Sequence, residues 1–592
     1  MVNRDRSEIR SRASHRETRW LWHQAAVRGT RSDPKPSVEV NRIGNRSGPD
    51  LRSDVPDALT VVWLKRDLRL ADHAPFAAAA DRAAETKTKN GTETETAGAA
   101  GVIVLYLYEP AIYAHPHACP AHLVFINESL AELDRELRER GGRLTTRHGD
   151  AVAELARLHA THPFDRLVSH EEVGHAVSYA RDRAVKAWCR TAGVAWTEFP
   201  HSGVIRGLKS RDGWAKKWTG FMSRPLIEPP AHLPGPTPPP TSAGILSPAD
   251  LGLPEPTMTD VMTGGAAVAA ETLDGFLIER GAQYRTDMSS PVHAWEGCSR
   301  MSPYLAYGNV STRQVYQAAK ARAAELRTLR DAGEAIEPAW FGSMKSFESR
   351  LRWHCHFIQK FEDEPDIEFH NINRAFDGLR GDRPDRPLGD VDPDTFAAWR
   401  EGRTGYPLVD ACMRCLSRTG WINFRMRAML ASFSSYHLWN HWKAPADFLA
   451  TRFLDYETGI HFSQFQMQSG VTGINTVRIY SPIKQVKDQD PTGVFIRRWV
   501  PELRPLCEHA QVVRYLPEPW KMPTPMQREL GCMIGTDYPE PVVDHAEAYR
   551  TAKERIYAWR RRPGVRDASE AVFQKHGSRR RRPASPRTSK AK

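Results

Sequence analysis

Four charged residues fall where apolar periodicity places buried helix faces: Arg425, Arg427, Asp455 and Glu457. Burying an unpaired charge costs several kcal/mol, so these guanidinium and carboxylate groups are expected to pair with one another. They lie within the stretch from Gly402 to Trp499, a series of amphipathic segments broken by Gly or Pro and loaded with Trp and Phe. A helical core lined with aromatics and carrying a few paired charges suits a large, flat, partly polar cofactor.

Other residues invite chemistry with less force. The run Gly297-Cys298-Ser299-Arg300-Met301-Ser302-Pro303-Tyr304-Leu305 sets small hydroxyl side chains at a helix opening, where free N–H groups and the helix dipole favour a phosphate. An ordinary N-cap is the alternative reading. Phe347 to Phe361 interleaves aromatic and basic residues along one expected helix. The run His170 to His175 suggests zinc, but its two histidines do not share the spacing of one helix face. His354 and His356 likewise point apart on a helix. Cys412-x-x-Cys415 lacks two further cysteines at suitable spacing, so core thiols are expected there and no metal.

The elements that must position these groups divide the 592 residues into several parts. Residues 1–57 hold twelve Lys and Arg against eight acids, and the segment from Lys575 to the end holds eight and none, so the net charge of +12 belongs to the two ends and the middle is neutral. The basic pI therefore does not by itself indicate a nucleic-acid face. Residues 1–57 are expected to be a disordered basic extension. Leu59 to Leu64, Val102 to Tyr108, Arg143 to Thr146 and Arg166 to Ser169 are apolar strand runs alternating with helical segments, which predicts a doubly wound parallel sheet over 58–200. The Pro-rich stretch 201–260 reads as an interdomain linker. An all-α domain is expected over 261–520, followed by a C-terminal extension over 521–592 that ends in a basic tail. Eight irregularly spaced Cys point to a reducing compartment, and no apolar run reaches membrane-spanning length, so a cytoplasmic, membrane-free protein is expected.

Gly405-Tyr406-Pro407 with Asp410, Gly420-Trp421 with Arg425 and Arg427, and Asp455 ahead of Ser469-Gly470 resemble, in order and spacing, the flavin-binding domain of the photolyase/cryptochrome family. Lys65-Arg66-Asp67-Leu68-Arg69 resembles the family's signature after its first strand. The resemblance implies a monomer that binds FAD and damaged DNA, with cofactor contacts from Tyr284, Ser299, Arg300, Met301, Ser302, Trp421, Arg427, Asp455, Glu457 and His461. Arg427 and Asp455 match the ion pair beside the flavin, and His461 stands where many photolyases have Asn, facing flavin N5. It further implies that Trp353 stacks on damaged bases, with Arg425, Met467, Arg497 and Arg498 also meeting DNA. Trp353, Arg427, Asp455 and His461 are thus the candidate catalytic group. Some members hold a pterin or flavin antenna in the α/β domain, with Glu172 near a folate contact.

Departures from the family's pattern bear on function. Trp442 matches the middle tryptophan of its electron-transfer chain, but Phe465 stands at the flavin-proximal position. Phe resists oxidation far more than Trp, so photoreduction is expected to be slow unless Tyr456, Trp439 or Trp499 supplies another route. Ala428 replaces a lesion-pocket Met and Met467 a second stacking Trp, and the acidic lesion contact falls at Arg350, or at Glu348 if the helix is shifted by two. The family's activities are light-driven repair of pyrimidine dimers in DNA by electron transfer, or blue-light reception of cryptochrome type without repair.

Overall fold

The computed structural model describes residues 59–89 and 101–578. The extension at 1–57 and the Arg579–Arg582 run lie outside the described residues.

The strands β1 (Leu59–Leu64), β2 (Val102–Tyr108), β3 (Leu144–His148), β4 (Phe164–His170) and β5 (Ala195–Phe199) form one parallel sheet in the order β3-β2-β1-β4-β5. The expected doubly wound α/β domain is therefore present. Strand alternation sends Val62, Leu64, Val104 and Tyr106 to one face, under α1 (Ala74–Lys89) and α2 (Pro120–Arg138). Val61, Trp63, Ile103 and Leu105 face α3 (Ala151–Thr161) and α4 (Ala176–Ala192). Burial on both faces explains the near-continuous apolar strands.

The Lys65 to Arg69 signature is a joint between the two domains. Asp67 accepts hydrogen bonds from the Lys65 amide, His73 and His170. Leu68 N–H donates to Tyr307 O, and Arg69 donates to Gly308 O. Arg66 donates to Tyr456 O at 2.6 Å, deep in the helical domain.

The stretch 201–260 is more than a linker. Helix α5 (Trp214–Met222) plants Trp214, Trp218 and Met222 in a core shared with the helical domain, because three large apolar side chains on one face require burial. Nor does the helical core stop at 520. The Tyr538 hydroxyl donates to buried Asp410, and Ala552, Ile556 and Val565, on the helices His545–Arg560 and Val565–His576 or at their start, join the same cluster.

Within the helical domain, α6 (Ala339–Asp363), α7 (Pro407–Thr419), α8 (Phe424–Ser432), α9 (Lys443–Ala450) and α10 (Thr458–Gln468) surround the candidate site. Helices α6 and α10 cross closely at Gly459, where a Cβ would stand 2.9 Å from Ile358 Cα.

Candidate cofactor site

The Gly405-Tyr406-Pro407…Asp410 motif proves to be scaffolding. Asp410 accepts from Thr404 N and Oγ1, Gly405 N and the Tyr538 hydroxyl, and so fixes the turn that launches α7. At the other end of α7, Gly420 closes the helix with φ +70°, and Leu454 N–H donates to Gly420 O. A Cβ at 420 would meet Leu454 Cβ at 2.9 Å, so this contact holds the chain before Asp455 against the start of α8.

That contact sets Asp455 opposite Arg427. The guanidinium donates to Asp455 Oδ1 at 2.9 Å and to Oδ2 at 2.8 Å, while its Nε donates to Ile422 O. It also lies 4.3 Å from the centroid of the Phe453 ring. The Asp455 side chain is 2% exposed and that of Arg427 27%, so the pair keeps one accessible, positively charged face. A bidentate pair with Nε also anchored is held in a single orientation.

The other expected pairing does not form. Arg425 donates to Ser289 Oγ, and Glu457 instead faces Arg66 of the α/β domain at 3.8 Å. Burial pushes the Glu457 carboxyl up to about 7, with Arg66 acting against that shift.

His461 is buried among Phe453, Tyr456, Phe462 and Phe465. Burial lowers its pKa to about 3, so it is neutral. Its Nε2 lies 2.8 Å from Ala446 O and must donate there, which leaves Nδ1 as an acceptor only. From Nδ1, His461 can therefore receive a hydrogen bond but not give one.

At the loop expected to meet a phosphate, the helix Ser302–Ala306 has Met301 at its N-cap, and Ser299 Oγ accepts from the Met301 amide. Arg300 adopts φ +58° and lies over the Trp295 ring. Arg280 donates to the carbonyls of Thr272, Glu296, Cys298 and Ser299. Neither arginine forms a salt bridge among the described residues. Arg300 Nε is buried without a partner, and burial together with Arg300 lowers the Arg280 pKa to about 10. Two arginines without a carboxylate partner beside a hydroxyl-bearing loop fit an anionic group such as a diphosphate, Arg280 through its charge, since its donors go to carbonyls, and Arg300 with Nε still unpartnered. Arg280 was not anticipated; its signal was a lone basic residue preceding Gly281. Tyr284 is buried against Phe276 and Phe347, and Trp421 meets Trp295 edge-on at 5.7 Å.

On the outer side, Trp353 lies one helical turn beyond Arg350 on α6, and the Arg350 guanidinium lies 5.2 Å from the centroid of the exposed Phe424 ring. Arg425 follows on α8. Arg497 and Arg498, on the helix Val494–Trp499, share no hydrogen bond or ring contact with Trp353, Arg425 or Met467, and that helix packs on α7. Trp442 is fully buried and donates to Asn371; its ring meets Phe462 at 6.0 Å, while Phe465 meets His461 at 4.8 Å.

Where the carboxyl edge of the sheet meets the helical domain, a cavity is walled by Tyr106, Tyr113, His122, Tyr307 and Tyr456. On this side Arg181 bridges Glu109 and Glu172. No helix among the described residues is long and apolar enough to cross a membrane.

Residues 60–217 match the family model for DNA photolyase, and residues 347–558 match that for the FAD binding domain of DNA photolyase. A deoxyribodipyrimidine photo-lyase of Halobacterium salinarum is 28% identical over 505 residues, spanning 83% of this chain and 97% of that protein. A cryptochrome DASH of Gloeobacter violaceus is 28% identical over 523 residues, spanning 84% and 96%. Among solved structures, a bacterial class III photolyase of Agrobacterium tumefaciens aligns with a TM-score of 0.70 at 26% identity, covering 87% of this chain and all of that one. A Synechocystis cryptochrome, at 22% identity and a TM-score of 0.69 over 85% of this chain and 99% of that one, shares the fold.

Proposed function

The chain belongs to the photolyase/cryptochrome family, and from that premise we propose that it is a blue-light-dependent FAD photolyase that reverses UV-induced pyrimidine dimers in DNA. The observation that carries this reading is the bidentate Arg427–Asp455 pair, fixed by Ile422 O and presenting one open guanidinium face inside the matched FAD-binding region. FAD, when bound, supplies the light-driven electron chemistry.

The chain's own residues do the rest. Arg280 and Arg300 attract the diphosphate. Arg427 offers a positive charge in a fixed orientation, where it favours charge developing on a neighbouring ring, and Asp455 keeps it from turning away. His461 Nδ1 accepts a proton-bearing partner without donating. The aromatic wall of Phe453, Phe462 and Phe465 excludes water. Outside, Trp353 and the Phe424–Arg350 pair offer flat apolar faces beside positive charge, as an extruded pyrimidine dimer requires. A second chromophore would find its space in the tyrosine-walled cavity between the domains.

One set of observations favours the cryptochrome-type photoreceptor reading. Phe465 interrupts the tryptophan chain, and Ala428 and Met467 leave the lesion face without the side chains typical of repair. The two readings separate in one assay. Chemically reduced protein is mixed with a dimer-containing oligonucleotide under blue light and in the dark. Repair predicts loss of the dimer only in the light; an unchanged dimer in both arms overturns it.

A further inference from the structure

Three imidazoles converge at the seam between the domains. His115 and His117 lie in the turn after the short helix Pro110–Tyr113, and His175 directly precedes α4. One ring nitrogen from each lies within 4.8 Å of the others. The ring centroids stand 4.2 Å apart for His115 and His175, and 4.5 Å apart for His115 and His117. His175 Nε2 is buried and has no hydrogen-bond partner. The helical domain brings Glu368 Oε1 to 3.8 Å from His115 Nε2, and Asp447 Oδ1 to 2.8 Å from His117 Nε2.

A second cluster in the same seam differs in kind. Asp67 Oδ2 lies 2.9 Å from His73 Nε2 and 2.8 Å from His170 Nδ1, so the carboxylate sits between two donors and closes the group. The histidines of the run His170 to His175 thus enter different clusters. In the His115, His117 and His175 group no carboxylate occupies the centre, and a buried lone nitrogen remains. A buried, unsatisfied polar atom in a native fold calls for a specific explanation, an ion among them.

We propose that His115, His117 and His175, with Glu368 as a carboxylate ligand, bind a divalent cation of zinc type and staple the α/β domain to the helical domain. Imidazole and carboxylate are zinc's ligand set, and metal–ligand bonds of 2.0–2.1 Å in a tetrahedron place neighbouring ligand atoms about 3.3 Å apart. The His115–Glu368 spacing is near that value, and ring rotation closes the remaining gaps. Asp447 holds the His117 proton at Nε2 and frees Nδ1 for the ion, the carboxylate–histidine–metal arrangement that orients such ligands. Binding at Nδ1 displaces the Tyr456 hydroxyl, which lies 3.0 Å away. The nearest cations are already paired, Lys443 with Asp447 and Arg66 with Glu457. The sequence signal was His115-Pro116-His117, a pair on a turn, where i and i+2 side chains can converge as they cannot on a helix.

The test uses the full chain, stripped with a chelator, equilibrated with Zn2+ and desalted. The expected result is about one zinc per chain, a raised Tm relative to the stripped protein, and an X-ray absorption edge fitted by imidazole and oxygen ligands without sulfur. His175→Ala and the partly exposed His115→Ala are each expected to lose the retained zinc and the Tm rise, while keeping the far-UV circular dichroism of the wild type. Wild-type protein that retains no zinc overturns the proposal. So does a thiolate-dominated spectrum, or equal retention by folded His175→Ala.

Discussion

Two side chains one turn apart on α8, Arg427 turned to the interior and Phe424 at the rim, follow opposite rules. Facing inward, Arg427 has every side of its guanidinium assigned but one: Asp455 on two nitrogens, Ile422 O on the third, and the Phe453 ring against its face. Facing outward, Phe424 is 41% exposed and meets Arg350 through a cation–π contact alone. The inner group is preorganised by its hydrogen bonds and its ring contact. The outer rim is open, and here the sequence departs from the family. The interior pair is thus held in one orientation, while the rim residues are free to move.

Breaking the inner pair is expected to have the largest effect. Removing one partner of a buried ion pair costs about 3–5 kcal/mol. Asp455→Ala should therefore lose most of its FAD, with a smaller loss in Asp455→Asn; equal FAD content in wild type and Asp455→Ala would place the pair outside the cofactor site.

Acid should weaken the inner side next. Burial holds His461 on this side, and His170 in the joint between the domains, neutral with pKa values near 3, whereas in the unfolded chain they protonate below about 6.5. Protons then bind only to the unfolded state, so stability is full above pH 6.5 and is lost as pH falls toward 3. Between pH 6.5 and 5 each such group contributes about 2 kcal/mol of loss. A Tm that stays level from pH 7 to pH 5 would contradict this, and His461→Asn should flatten the dependence.

The outer rim should respond only in DNA binding. Trp353→Ala is expected to weaken binding to dimer-containing DNA by about 1–3 kcal/mol, leaving FAD content unchanged. A matching loss of FAD would make Trp353 part of the inner side. Phe465→Trp tests the link between the two sides and should speed photoreduction with external reductant; identical rates would show that Phe465 is not the bottleneck. Smallest of all, Arg497→Ala with Arg498→Ala should reduce the salt slope of DNA binding by at most about 1.8, since each phosphate contact contributes about 0.9. No change would remove that helix from the interface.

How far the sequence foretold these features depends on where each residue's partner lies. β1 and β2 were legible because burial on both faces makes them continuous apolar runs, and Arg427 with Asp455 because unpaired charge on apolar faces demands a partner nearby. The edge strand β5 escaped notice: Ala195–Phe199 is half exposed and shows no clear alternation. The Arg66–Glu457 contact joins residues far apart in the chain, and local periodicity says nothing about it. Helix α5 was hidden by the prolines that follow it. The helices after 520 contribute only a few buried positions, such as Ala552 and Ile556, on otherwise polar surfaces. His115, His117 and His175 were invisible because a two-residue spacing on a turn and a helix N-cap converge only once the sheet is assembled.

The most direct measurement is the flavin content of the purified full-length chain after incubation with FAD and desalting. The account predicts about one FAD per chain, with a flavin absorption band that Asp455→Ala loses. A colourless wild-type protein that takes up no added FAD would contradict the account at its centre.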